Sequence, residues 1–113
     1  DPHTRIVGHI SGRLLLGRDG YELDYDKIFE AAAQHRVAIE INSHPNRLDL
    51  DWRYLKRAKE AGVKFAIDPD AHSVAGLSDT FIGVGLARKG WLSKGDVLNT
   101  GSLEEVKEFL KKN

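Results

Sequence analysis

Three short apolar runs divide the chain into similar units, and this repeat constrains the fold more than any other feature of the sequence. The runs are RIVGHI (residues 5–10), VAIEI (37–41) and VKFAI (63–67). The segments DYDKIFEAAAQHR and DLDWRYLKRAKEAG, which lie between them, carry apolar residues at helical spacing. Strands that alternate with helices predict an α/β fold with parallel strands.

The last third of the chain predicts two more helices and a fourth strand. FIGVGLARKGW predicts a short helix, although Gly83 and Gly85 weaken it. DVLN (96–99) predicts a strand, and Ser102 with Glu105 forms a capping box that begins a terminal helix. Residues 1–113 therefore form a single domain of three or four βα units. Either a sector of a (β/α) barrel or an open, flavodoxin-like sheet fits this pattern.

Composition excludes several classes of function. Seventeen basic residues balance 17 acidic ones, so no global charge favours nucleic acid or a membrane surface. The chain has no cysteine, which excludes disulfides, thiolate metal sites and cysteine nucleophiles. No apolar run approaches the ~18–20 residues that span a bilayer, and no signal peptide opens the sequence, so we expect a cytoplasmic protein. An initial Asp1 and the absence of methionine suggest an excised, processed or engineered chain.

Polar side chains collect where the predicted strands end, which is the edge at which parallel α/β folds bind ligands. They are His9, Asn42, His44, Asp68, Asp70 and His72. Imidazole and carboxylate together suit Mn²⁺, Zn²⁺ or Fe²⁺ when no soft sulfur ligand is available. The sequence therefore predicts a metal site with His9, Asp70 and His72 as its candidate ligands.

Each of these residues also has a simpler interpretation. The ring of His9 could cap loop carbonyls, and Asp70 with His72 could form an Asx-type turn. In NSHPNR, His44 could be a ligand, a phosphate contact or a turn residue before proline. Asp68 precedes a proline and is expected to accept hydrogen bonds from the amides that follow it.

The remaining polar residues fall into two groups. His3 and His35 are expected to be solvated. Arg13 and Arg47 lie in strand-end loops and could each offer a bidentate fork to a phosphate. Alternatively, each could pair with a neighbouring carboxylate such as Asp49 or Asp51.

Four segments, in order, resemble one known family. They are GHISGRLLLGRDGYELD, IEINSHPNRLDLDW, DPDAHS and IGVGLARKGWLSKGDVLNT. Together they resemble the C-terminal part of the PHP (polymerase and histidinol phosphatase) domain of bacterial and archaeal family X DNA polymerases, over residues 5–110. Two departures are visible, because the family usually has Pro-Thr at positions 10–11 and Ala-Asn at positions 43–44, where this chain has Ile-Ser and Ser-His.

The resemblance implies a distorted seven-stranded (β/α) barrel, of which this chain would supply the later strands. It implies metal-dependent phosphoesterase chemistry, seen in the family as 3′–5′ exonuclease activity and 3′-end processing of DNA. By motif, His9 corresponds to a late histidine ligand, and Asp70 and His72 to a closing D-x-H pair. In the family these positions serve three different divalent metals, Mn²⁺ or Zn²⁺, and six further ligands lie in the earlier part of the domain.

The chain alone is therefore expected to have little or no phosphoesterase activity. Its partner would be the N-terminal half of the barrel or a second copy of itself, with a DNA 3′ end as the substrate of the parent domain. Two alternatives remain open. One is a half-barrel structural module that self-associates, and the other is a mononuclear metal-binding module that uses His9, His44 and either Asp70 or His72.

Overall fold

A three-stranded parallel sheet forms the centre of the molecule, for which a computed structural model describes residues 1–111. Its strands are β1 (Ile6–Val7), β2 (Ala38–Asn42) and β3 (Phe65–Asp68), in the order β1-β2-β3. Ile6 pairs with Ala38 on one side of β2, and residues 39–42 pair with residues 65–68 on the other. The predicted α/β class with parallel strands is confirmed.

Four α-helices accompany the sheet: α1 (Tyr25–Gln34), α2 (Leu55–Glu60), α3 (Thr80–Lys89) and α4 (Leu103–Leu110). Short 3₁₀ turns cover Trp52–Tyr54, Ala75–Asp79, Lys94–Asp96 and Leu98–Thr100. The predicted capping box of α4 is present, with Ser102 and Glu105 exchanging hydrogen bonds. All helices expected from the periodicity are found.

The helices that contribute to the core pack on one face of the sheet. Side chains alternate along a strand, so the register places Ile39, Phe65 and Ile67 on a single face. These residues share a core cluster with Phe29 of α1, Leu55 and Ala58 of α2 and Ala87 of α3. The opposite face carries Glu40, Asn42 and Asp68. A sheet covered by helices on one face is the arrangement found in a sector of a (β/α) barrel wall.

The first strand is shorter than predicted. We expected a strand from Arg5 to Ile10, but pairing with β2 ends at Val7. Beyond this point the edge of β2 pairs with a different segment, because Asn42 forms an antiparallel bridge with Asp49. His9, at φ 27°, then turns the chain out of the sheet.

The predicted fourth strand, residues 96–99, is not formed. Two 3₁₀ turns occupy the region, and a single bridge joins Val97 to Phe65. Next to it, the side-chain amide of Asn99 donates to Ile67 O and accepts from Ile67 N. A side chain thus satisfies the edge of β3 where a strand backbone was expected.

Within residues 1–111, no helix is both long and apolar enough to cross a bilayer.

Candidate functional site

The predicted ligands lie at the carboxyl end of the sheet, as the strand pattern required. His9 follows β1 by two residues, and Asp70 follows β3 by two residues. Between them, Asn42 is the last residue of β2 and is fully buried. Parallel strands bring these three positions to the same edge.

The side chain of Asp70 is held in place by two neighbouring side chains. Asn42 Nδ2 donates to Asp70 Oδ2 at 3.1 Å, and Arg47 Nε lies 3.6 Å from the same oxygen. The Asn42 hydrogen bond, with the nearby charges of His72, Arg47 and His9, lowers the pKa of Asp70. This carboxylate is therefore ionised and lies at the strand-end face, where one of its oxygens already contacts Asn42 and Arg47.

His9 is anchored through its backbone. Its N–H donates to Glu40 Oε1 at 2.6 Å, while the residue itself is exposed. Both His9 (φ 27°) and Asp70 (φ 49°) adopt left-handed backbone conformations that are unfavourable for residues other than glycine. Such conformations persist where the surrounding contacts hold them, and they are common at functional sites.

Glu40 is the site residue that the sequence analysis missed. It is buried in the central strand, and Asn42 Nδ2 donates to its Oε1 at 3.1 Å. Burial, together with a hydrogen bond to the Asp68 side chain, raises the pKa of Glu40 to about 7. A glutamate in the otherwise apolar run VAIEI was the signal that could have identified it.

The two other histidines of the strand-end loops make local contacts. His72 is exposed, with Nδ1 2.7 Å from Asp70 O and 3.9 Å from Asp70 Oδ1. His44 accepts a hydrogen bond from Asn46 N through Nδ1 at 3.1 Å, as a turn residue would. Asp70 and His72 are thus adjacent, whereas His44 is held within its own loop.

The predictions for three other residues are confirmed. Asp68 Oδ1 accepts a hydrogen bond from Asp70 N at 3.1 Å, as expected for a carboxylate before proline. His3 and His35 are both exposed.

The two arginines differ in their contacts. Arg13 ties the loop after β2 to the loop after β1, since its guanidinium donates to Asp51 Oδ2 at 2.9 Å and to the carbonyl oxygens of Arg47 and Leu48. The carboxylate pairing considered for Arg13 is therefore present. Arg47 faces Asp70, so it lies at the candidate site itself.

Within residues 1–111, no three His, Cys, Asp or Glu side chains are grouped closely enough to hold an ion. Catalytic zinc usually has three protein ligands. The described residues alone therefore do not form a complete metal site.

An apolar groove lies elsewhere on the molecule. It has a volume of about 760 Å³ and is bordered by Val7 of β1, Ile28 of α1 and Val37, just before β2. The groove does not border His9, Asp70 or His72. The groove therefore does not belong to the candidate site.

Comparison with known proteins relates the chain to DNA-processing and phosphatase proteins. It is 45% identical to the DNA polymerase/3′-5′ exonuclease PolX of Bacillus subtilis (strain 168), over 98% of the chain and 20% of that protein. It is 29% identical to a probable phosphatase of Thermoanaerobacter sp. (strain X514), over 98% of the chain and 45% of that protein.

A probable phosphatase of Vibrio parahaemolyticus is also 29% identical, over 93% of the chain and 43% of that protein. No protein-family model matches the chain. The chain spans about a fifth of the length of PolX and less than half of the length of these two phosphatases.

Proposed function

We propose that this chain supplies part of the metal-binding face of a PHP-type phosphoesterase. His9, Asp70 and His72 are the proposed ligands, and Mn²⁺ or Zn²⁺ the proposed metals. The observation that carries the proposal is the Asp70 carboxylate, which is ionised and held at the strand ends by Asn42 and Arg47. The relationship to PolX over nearly the whole chain supports the same function.

The remaining ligands come from outside the described residues. Those residues group too few imidazole and carboxylate side chains to hold an ion, and the chain alone is therefore expected to have little activity. We propose that a further polypeptide segment, or a second copy of the chain, completes the site. The polar face of the sheet, which carries Glu40, Asn42 and Asp68, is where that segment would close the barrel.

The proposed substrate is a phosphate group at the 3′ end of DNA. The name of the PolX relative includes a 3′-5′ exonuclease, which supports this choice. Arg47 would contact the phosphate, since its guanidinium already faces an anion, Asp70, at 3.6 Å. Arg13 would act indirectly by holding the backbone of the Arg47 loop.

Metal titration followed by nuclear magnetic resonance tests the proposal. Zn²⁺ should shift, and Mn²⁺ broaden, the signals of residues 9 and 70–72 before those of the rest of the chain. Asp70→Asn should remove this response, while His35→Ala, which changes an exposed histidine at the end of α1, should leave it intact. A response centred on His3 or His35 would rule out the ligand assignment, and no response at millimolar metal would rule out metal binding by this chain on its own.

Two further measurements test the mononuclear metal module and the phosphate contact of Arg47. A response that includes the ring of His44 would favour the mononuclear module. A 3′-phosphorylated oligonucleotide should shift the Arg47 side chain in the presence of metal, and an unphosphorylated oligonucleotide of the same sequence should do so less. Equal effects of the two oligonucleotides would argue against a phosphate contact.

We propose self-association as a second function, because one helical stripe is exposed and apolar. Val74 and Leu77, at the 3₁₀ turn before α3, and Phe81 and Val84 of α3 recur at 3–4–3 spacing. They are 85%, 60%, 71% and 44% exposed, respectively. Exposed apolar patches of this kind mark association surfaces. The partner proposed is a second copy of the chain.

A further inference from the structure

Glu40 is an unusual residue to find at the centre of this sheet. It lies in the middle of β2, the central strand, and every residue of that strand is buried. A buried carboxyl group is costly unless hydrogen bonds compensate for its lost hydration. The contacts of Glu40 therefore indicate what it does.

One oxygen of Glu40 contacts two other residues of the candidate site. Glu40 Oε1 accepts from His9 N at 2.6 Å and from Asn42 Nδ2 at 3.1 Å. The same Asn42 amide group donates to Asp70 Oδ2 at 3.1 Å. A continuous set of hydrogen bonds thus runs from His9 through Glu40 and Asn42 to Asp70.

The rest of the Glu40 side chain is also held in place. The side chain of Asp68, on the neighbouring strand, adds to the effect of burial in raising the pKa of the Glu40 carboxyl group. A methyl group added at Gly8 would lie 3.6 Å from Glu40 Oε1, so the backbone of the first loop packs directly on the carboxyl group. Glu40 therefore contacts the first loop at Gly8 and at the backbone N–H of His9.

We propose that Glu40 is a positioning residue that sets the relative placement of His9 and Asp70. It acts through hydrogen bonds to the His9 backbone and the Asn42 amide and does not itself contact the metal or the phosphate. The effect of Glu40 on metal binding rests on the proposed function, whereas its effect on the position of the two loops does not. Substitution of a residue that orients a metal ligand in this way typically lowers the metal affinity by about 10–100-fold.

The experiment compares three substitutions in the full chain. Glu40→Gln keeps an acceptor oxygen for His9 N and Asn42 Nδ2 and adds a donor toward Asp68. Glu40→Leu replaces the carboxyl group with an apolar side chain of similar width that has no acceptor. Glu40→Asp takes its place in the comparison if the leucine variant does not fold. Glu60→Gln, at an exposed position at the end of α2, is the matched control.

Two readouts are measured for each variant. The first, without metal, is the hydrogen-exchange protection of the His9 amide and of the Asn42 side-chain amide. The second is the Zn²⁺ dissociation constant from titration of the signals of residues 9 and 70–72. Leucine or aspartate at position 40 should reduce the protection and weaken Zn²⁺ binding about tenfold or more, whereas glutamine should keep both within about threefold of wild type.

Two results would overturn the proposal. One is a leucine or aspartate variant with wild-type protection and wild-type Zn²⁺ affinity. The other is a glutamine variant as impaired as the leucine variant, which would mean that charge, and not the acceptor oxygen, matters. If the wild type binds no Zn²⁺, residues 9 and 70–72 do not hold the metal in this chain on its own, and the exchange measurement still decides whether Glu40 positions the two loops.

Discussion

Asn42 serves three partners with one buried amide group. Its Nδ2 donates to Glu40 and Asp70, and its Oδ1 accepts from His44 N at 3.1 Å. Loss of this side chain should therefore affect stability and site geometry together.

Asn42→Ala is predicted to destabilise the fold by about 2–4 kcal/mol, because it leaves buried polar partners unsatisfied. Chemical denaturation followed by circular dichroism measures the change. Asn46→Ala, an exposed substitution in the same loop, is the control and should change stability by less than about 0.5 kcal/mol. Equal effects of the two substitutions would mean that the Asn42 contacts contribute little.

Asp51 predicts a pH dependence of stability. Hydrogen bonds from Arg53, and then from Arg13, hold the pKa of Asp51 well below its ordinary value of 3.8. A carboxylate with a lowered pKa stabilises the folded state above its unfolded pKa, and this contribution is lost as the pH falls below about 3.8. The wild type should therefore lose stability on acidification partly through this group.

Asp51→Asn isolates that charge, because asparagine can still cap the 3₁₀ turn that begins at Trp52. The variant should be less stable than the wild type at pH 7 by about 1–3 kcal/mol. The difference should shrink as the pH falls below about 3.8. Urea denaturation at pH 7, 4 and 2.5 measures it, and a difference that stays constant across this range would refute the explanation.

For single residues, the sequence predicted local hydrogen bonds better than contacts between distant loops. The local turn of Asp68 followed from its position before a proline, and the structure confirms it. Glu40 and Asn42, in contrast, connect loops that are more than 25 residues apart. Their partners depend on strand register, which local spacing does not specify.

Among the elements, α3 shows why a weak helix pattern can form a real helix. Gly83 and Gly85 both lower its helix propensity. Of these two glycines, Gly83 is buried and Gly85 is exposed. A methyl group at position 83 would come within 2.6 Å of Ile67 Cγ2 and 2.8 Å of Ser43 Cβ. The glycine thus allows α3 to approach β3 closely.

These two glycines give a matched pair of substitutions. Gly83→Ala should destabilise the protein by about 1–3 kcal/mol through overpacking. Gly85→Ala meets nothing within 4 Å and should stabilise it by about 0.5–1 kcal/mol through helix propensity. Thermal and urea denaturation would show the opposite signs, and a stabilising Gly83→Ala would mean that the close approach is not required.

The two errors in strand prediction have one physical origin. A strand is formed only where a neighbouring strand supplies hydrogen bonds. The segment after Val7 and residues 96–99 both lack such a neighbour. Residues 48–50 take over the edge of β2 beyond Val7, and the Asn99 side chain takes over the edge of β3. Helices were predicted more accurately because their hydrogen bonds and caps are local.

For the whole molecule, the main feature is a parallel sheet with helices packed against one face. Binary pattern and strand–helix alternation were enough to predict the parallel sheet. They could not distinguish a barrel sector from an open sheet covered on both faces, since that depends on where each helix packs. The exposed apolar stripe of Val74, Leu77, Phe81 and Val84 is a surface that a further layer of protein would cover.

The stripe makes a prediction about the oligomeric state. Sedimentation velocity should show a concentration-dependent dimer, because burial of Val74, Leu77 and Phe81 against a second copy removes apolar surface from water. Phe81→Glu should shift the chain to a monomer.

Leu103→Glu is the matched control, since it places the same charge at an exposed leucine on α4, outside the stripe. This variant should leave the dimer intact. A wild type that stays monomeric at high concentration would exclude self-association. A dimer dispersed equally by both substitutions would place the interface elsewhere or attribute the effect to charge alone.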